Sequence, residues 1–240
     1  RAHYGNKDML VSDGPALLDR ALELAPSGVP CYSELPAILN DFGTLYKYSG
    51  DFQQARSSLN EAYTKSRGCL GPAHSMTTTI LYNQAAVASD MGDLARAEDL
   101  YRRTIRAWSE RLGPNHPFVA NGLQNLAGVV SRRGRAVEAR QLLERALTLR
   151  TRSSGAESPN VAETLIRIAE TMIASRNAAG AVEKIDQAIA IYARGNRPQN
   201  PDSVARAYLL RGSLLVQQGN FEGGREAFAN ALSERERRAR

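Results

Sequence analysis

The sequence predicts an all-α fold, an α-α superhelix (solenoid) of about five antiparallel helix–turn–helix units with a half unit before them. Three observations carry this. Gly50, Gly92 and Gly134 recur every 42 residues, Arg176 continues the series, and Gly219 follows after 43. A fixed period of roughly 20 to 50 residues marks units that cannot bury their apolar faces alone and must stack. Before each turn, at one offset, stand Gly43, Ala85, Ala127, Ala169 and Gly212; after it, at another, stand Ala55, Ala97, Ala139, Ala181 and Gly224. Small residues at matched places on two segments let two helix backbones approach closely. Large apolar residues flank these positions at steps of three and four, as Leu39 and Tyr46 flank Gly43 and Leu123 and Val130 flank Ala127. Such steps return to one face of a helix.

The elements follow in order. Residues 1–12 carry no clear pattern, and residues 15–24 match the end of a second helix, with Arg20-Ala21-Leu22 paralleling Arg145-Ala146-Leu147. This half unit is expected to cap the stack, within an N-terminal segment of residues 1–32. The first helix of each unit (helix A) is placed at 33–48, 75–90, 117–132, 159–174 and 202–217. The second (helix B) is placed at 52–67, 94–111, 136–152, 178–193 and 221–237. The units themselves span 33–74, 75–116, 117–158, 159–200 and 201–237, within a segment that runs to residue 240. Pro117, Pro159 and Pro201 mark helix A starts, where a missing N–H costs nothing. The turns inside the units suit Gly, which adopts a left-handed conformation freely. Asn196–Ser203 holds the one-residue insertion, and the charged stretch after Ser233 is expected to fray. Two departures stand out: Gln84 and Arg211 occupy a position that is Phe42, Leu126 or Ile168 in the other units.

Composition bounds the function. Arginine outnumbers lysine 27 to 4 and the net charge is +6, which points to a GC-rich, bacterial genome. The 25 acidic residues are interspersed with the basic ones, as expected of solvated helix faces rather than a nucleic-acid surface. No 18-residue apolar run exists, so no membrane span is expected. Cys31 and Cys69 are placed in loops on one edge of the stack; two free thiols are the favoured reading over a disulfide, and neither has the spacing of a zinc site. No glycine-rich phosphate loop, Gly-x-Ser-x-Gly elbow or His-Glu-x-x-His is present, so neither an enzyme nor a metal or cofactor site is expected. His74 and His116 lie 42 residues apart in matching Gly-Pro-x-His loops. A residue that recurs with the period is structural, and capping of the following helix is its expected role; Ser158 and Asn200, good N-cap types, replace it later.

The pattern of small and large positions, best seen in Asn125-Leu126-Ala127, Gly92-Asp93-Leu94-Ala95-Arg96-Ala97 and Gly219-Asn220-Phe221, resembles the tetratricopeptide repeat. The 42-residue period, with Leu112-Gly113-Pro114-Asn115-His116-Pro117 between units, resembles the kinesin-light-chain subtype over residues 33–237. That resemblance implies that helix A lines a concave groove. Its residues off the packed face would then meet a ligand: Asn40, Asp41, Tyr82, Asn83, Asn121, Gln124 and Asn125 in the first three units, then Glu163, Arg167 and Arg206 beside Ile166, Leu209 and Leu210. Side-chain amides offer both donors and acceptors, and in that family similar asparagines hold extended peptides. A peptide acidic and apolar toward one end would suit the later units. The clamp with which some relatives grip chaperone tails needs two lysines that no register supplies.

The leading expectation is a protein-interaction scaffold for a peptide or partner domain. A regulatory segment of a larger signalling enzyme is the alternative, and RNA binding a third. The ends of such a stack leave apolar faces through which copies could associate. A cytoplasmic location is expected, or the bacterial periplasm if a leader has been removed.

Overall fold

The computed structural model describes residues 34–195 and 202–239. Those residues form ten α-helices and no strand. They are α1 (Leu35–Ser49), α2 (Phe52–Leu70), α3 (Ser75–Asp90), α4 (Leu94–Leu112), α5 (Pro117–Arg132), α6 (Ala136–Ser154), α7 (Pro159–Ala174), α8 (Ala178–Ala193), α9 (Asp202–Gln217) and α10 (Phe221–Ala239). Each odd-numbered helix packs against the even-numbered helix that follows it, giving the five hairpins that the period predicts. The half unit expected at 15–24 and the loop residue Asn200 lie outside the described residues.

The turns explain why the period is legible. Gly50 closes α1 in the left-handed region (φ 86°), and the Asp51 N–H then donates to Tyr46 O at 2.9 Å. The Asp51 carboxylate accepts from the Gln54 N–H at 3.1 Å and so caps α2. One dipeptide thus ends one helix and starts the next. Gly92-Asp93 and Gly219-Asn220 do the same, and Arg176-Asn177 repeats it with a non-glycine residue at φ 60°. Gly134-Arg135 keeps the backbone bond but has no side-chain cap. Between hairpins, the Nδ1 atoms of His74 and His116 accept the Met76 and Phe118 N–H groups at 3.2 Å, and Ser158 Oγ accepts the Val161 N–H at 3.3 Å. The recurring histidines are therefore helix caps, as the period implies.

Packing groups the helices into two compact units divided between Pro114 and Asn115. In the first, α1–α4, Leu39, Leu59, Ala55 and Ile80 form the fully buried core. A β-carbon on Gly43 would come within 2.5 Å of the Leu59 side chain, which is why this position admits nothing larger. In the second, α5–α10, Ile166, Ala169, Ala181 and Ile185 are the centre of the core, and a β-carbon on Gly212 would meet the Phe228 ring at 2.7 Å.

One expectation is corrected here. Helix α2 runs on to Leu70, so Cys69 is helical rather than in a loop, and it is held in a disulfide. The reading of two free thiols therefore fails for Cys69; Cys31, the other cysteine of the sequence, lies outside the described residues.

Candidate functional site

The odd-numbered helices (the A helices) carry the residues that sequence reasoning assigns to a ligand. In the first unit, α1 and α3 meet through a short relay of amides. Asn83 Nδ2 donates to Asn40 Oδ1 at 2.7 Å, and Asn40 Nδ2 donates to Asp41 Oδ1 at 3.3 Å. A carboxylate accepts only, so it orients both amides: the donors point toward Asp41, and Asn83 Oδ1 is left as an acceptor without a donor among the described residues. Asn40 is itself buried, whereas Asp41 is exposed and Asn83 half-buried. Tyr82 packs edge-on to Tyr101 (5.6 Å between ring centroids) and tilted against Trp108 (5.2 Å). Both partners are buried on α4, so the ring's observed contacts tie α3 to α4.

In the second unit the polarity is set from the other end. Arg150, on α6 and only 7% exposed, donates to Gln124 Oε1 (2.6 Å), Asn121 Oδ1 (2.8 Å), Thr164 Oγ1 (2.7 Å) and the Asn160 carbonyl (3.1 Å). A guanidinium donates only. Both amides of α5 are therefore held by their oxygens, which turns the NH2 groups of Asn121 and Gln124 the other way. Gln124 lines an open pocket of about 170 Å³ with Gly128, Ser131, Arg167, Glu170 and Thr171. Asn121 is exposed, Gln124 buried and Asn125 half-buried.

Further along, four half-buried charges form one network. Arg167 Nε lies 3.3 Å from Glu163 Oε1 without hydrogen-bond alignment, and Arg206 approaches the same oxygen at 3.7 Å. Arg206 also donates to Glu170 through Nε at 3.0 Å and through Nη2. Burial works against the Arg206 charge, but the hydrogen bond to Glu170 and the charges of Glu170 and Glu163 outweigh it and raise its pKa. Beneath the network the Tyr192 hydroxyl, on a side chain 5% exposed, has no hydrogen-bond partner; Ser203 is beside it without satisfying the geometry. Burial first, and then Glu163, push the phenol well above its ordinary range.

The columns separate cleanly. Asp41, Asn83, Asn125, Arg167 and Leu210 all reach solvent, as do Asn121, Glu163 and Arg206. The adjacent column does not behave as expected: Asn40, Gln124 and Ile166 are buried, Ile166 completely. Within each unit these residues sit against the neighbouring A helix, as the Asn40–Asn83 and Gln124–Thr164 contacts show. Ile166 is therefore core and not a ligand contact.

Glu170 and one column of B-helix residues escape sequence reasoning. Glu170 lies three residues beyond Arg167 and seven beyond Glu163, on the same helix face, so its spacing could have found it. Ser66, Trp108, Arg150 and Tyr192 are successively 42 residues apart near the ends of the B helices. Each is buried and reaches an A helix: Ser66 bonds Thr77 Oγ1 at 2.7 Å, Trp108 packs on Tyr82, Arg150 holds α5 and α7, and Tyr192 lies under Glu163. Their identities differ so much that only the period connects them.

Among the described residues, no group of three or more His, Cys, Asp or Glu could hold a metal ion, and no helix is long and apolar enough to cross a membrane.

Tetratricopeptide-repeat family models match residues 76–149, 119–194 and 205–237, more than half of the chain. Among solved structures, BtubC (BKLC) from P. vanneervenii is 19% identical with a TM-score of 0.79, covering 97% of this chain and 92% of its own. The nearly identical tetratricopeptide-like repeats of a putative kinesin light chain from Podosopora anserina are 18% identical with a TM-score of 0.70, over 87% of this chain and all of that one (100%). The apo form of RapI is 14% identical with a TM-score of 0.71, covering 96% and 93%. No curated protein matches the chain.

Proposed function

Since this chain belongs to the tetratricopeptide repeat family and has the fold of kinesin-light-chain-like repeats, we propose that it is a protein-interaction scaffold whose A-helix faces hold an extended peptide or partner segment. The observation that supports this most is the fixed polarity of the amides. An extended backbone presents N–H donors and C=O acceptors in alternation. Asn83 Oδ1 and the Asp41 carboxylate offer acceptors on the first unit, and the NH2 group of the exposed Asn121 offers a donor on the second. Each is held in place by a neighbour, so little side-chain entropy remains to be lost on binding. A surface meant only for water would not need oriented amides.

The charged network tempers the acidic preference expected from sequence. Arg167 and Arg206 already face Glu163 and Glu170, so a partner carboxylate must compete with carboxylates of the protein. The amides then set affinity and the network sets selectivity. The test is to capture the partner from the native host, identify it by mass spectrometry, and measure its affinity for Asn83→Ala/Asn125→Ala and Arg167→Glu variants. Roughly tenfold weakening by the double amide variant is expected, at about 1 kcal/mol or less per lost hydrogen bond. Unchanged binding by both variants would sink the proposal.

Self-association is a second reading, favoured by Phe221 and Leu232, which stand 70% and 59% exposed on α10. Light scattering of the wild type beside a Phe221→Lys/Leu232→Lys variant decides it: a dimer that the double substitution dissolves supports the reading, and a monomer throughout removes it.

A further inference from the structure

We propose a second binding site in the first unit, on the side formed by the B helices α2 and α4, built around Gln84 and suited to an acidic peptide segment. The starting point is a break in the repeat. The position before the small A-helix residue is Phe42, Leu126 or Ile168 in the first, third and fourth repeats and Arg211 in the fifth. In the second repeat it is Gln84, which is 9% exposed. Its Nε2 donates to the Leu59 carbonyl at 3.2 Å and to Asn60 Oδ1 at 2.9 Å, both on α2. Two acceptors fix the amide's orientation. They leave Oε1, which no donor among the described residues reaches, at the cleft that Gln84 lines.

That cleft lies between α2 and α4 and has two lobes, about 110 and 360 Å³, which share Asn60, Gln84 and Arg96. The smaller lobe has an apolar wall of Val87, Ala88 and Met91. Its rim is basic. Arg103 is engaged by Asp99 and by the Tyr63 hydroxyl, and Arg56 bonds only the neutral Gln53 amide at 2.7 Å. Arg96 makes no ion pair among the described residues; nearby Asp93 uses its carboxylate to cap α4 through the Arg96 N–H. The site therefore offers an oriented acceptor, one free and one weakly engaged guanidinium, and an apolar shelf. An N–H for Gln84, a carboxylate for Arg96 and Arg56, and an aliphatic side chain for the shelf are together the features of a Leu-Glu type segment. A lone anion would satisfy the rim and leave the amide and shelf empty.

The test is a titration of the full chain with acetyl-Leu-Glu-Glu-Leu-amide, read from the backbone and side-chain nitrogen shifts of Asn60, Gln84 and Arg96. The peptide should move these signals, and its Leu-Gln-Gln-Leu counterpart should bind roughly tenfold more weakly. Gln84→Leu, which restores the residue found at position 126, and Arg96→Glu should each abolish the response; should the first variant unfold, the second carries the test alone. Absence of shifts at these three residues overturns the proposal, as does an unaltered response in a folded Gln84→Leu or in Arg96→Glu. Inorganic phosphate producing the same shifts at the same concentration would also overturn it, by reducing the site to an anion patch.

Discussion

Arg176 shows what one residue can reveal about a repeat. It stands where the other turns have Gly50, Gly92, Gly134 and Gly219, and it adopts the same left-handed conformation, at φ 60°. A side chain there brings Cβ against the following carbonyl, a cost of roughly 1–2 kcal/mol that glycine escapes. The backbone bond from the Asn177 N–H to Met172 O and the Asn177 cap of α8 survive substitution. Arg176→Gly is therefore expected to stabilise the protein by about 1 kcal/mol, measured by urea denaturation at unchanged slope. Tyr192 makes a second case. Its hydroxyl is buried without a hydrogen-bond partner, so Tyr192→Phe should be neutral or stabilising by about 1 kcal/mol at neutral pH. The phenol ionises less readily in the folded chain than at its ordinary value of 10.0. The unfolded chain thus gains by ionising first, and stability falls as pH rises above about 10. The Phe variant should lose that component of the alkaline decline; identical alkaline profiles for the two proteins would contradict it.

At the scale of helices, the sequence is most informative where chemistry repeats. The predicted ranges for α3, α5, α7, α8 and α9 agree with the observed bounds, because each is delimited by a cap or a turn residue visible in the chain. The B helices α2, α4 and α6 run one to three residues further than expected, since their last turns carry no stop signal until the following glycine, and α10 continues to Ala239 through the charged stretch expected to fray. The site was legible in part. Periodicity says which way Asn83, Glu163, Arg167 and Arg206 face, but it does not say what lies alongside, so it points Asn40, Gln124 and Ile166 outward although neighbouring A helices cover them. Arg150 was missed because a lone arginine in a helix rich in arginine gives no warning that it is buried. It tests the element-scale account. From α6 it bonds groups on both α5 and α7, and removing it leaves several acceptors without their donor. Arg150→Ala should cost about 3 kcal/mol in thermal or denaturant unfolding. It should also free the Asn121 and Gln124 amides to turn over, visible as a second set of side-chain amide resonances.

For the molecule as a whole, the main contacts within each unit join helices that are neighbours, or next but one, in the chain. Such an arrangement stores its stability locally: within each unit, every described hairpin depends on itself and on the helices beside it. A lesion should therefore stay where it is made. Gly43 is a sharp place to make one, because a β-carbon there would stand 2.5 Å from the Leu59 side chain and 3.3 Å from the Ala55 carbonyl. Gly43→Val overpacks the α1–α2 contact and should cost roughly 1–3 kcal/mol there. Hydrogen exchange by mass spectrometry at low denaturant reads the consequence helix by helix. Peptides from α1 and α2 should exchange faster, α3 somewhat faster because it packs on both, and peptides from α7 and α8 at the wild-type rate. Uniform acceleration across all ten helices would instead mean a single cooperative block, and with it a chain whose A-helix faces are ordered or lost together. The local outcome would leave the amides of the second unit oriented while those of the first are disturbed.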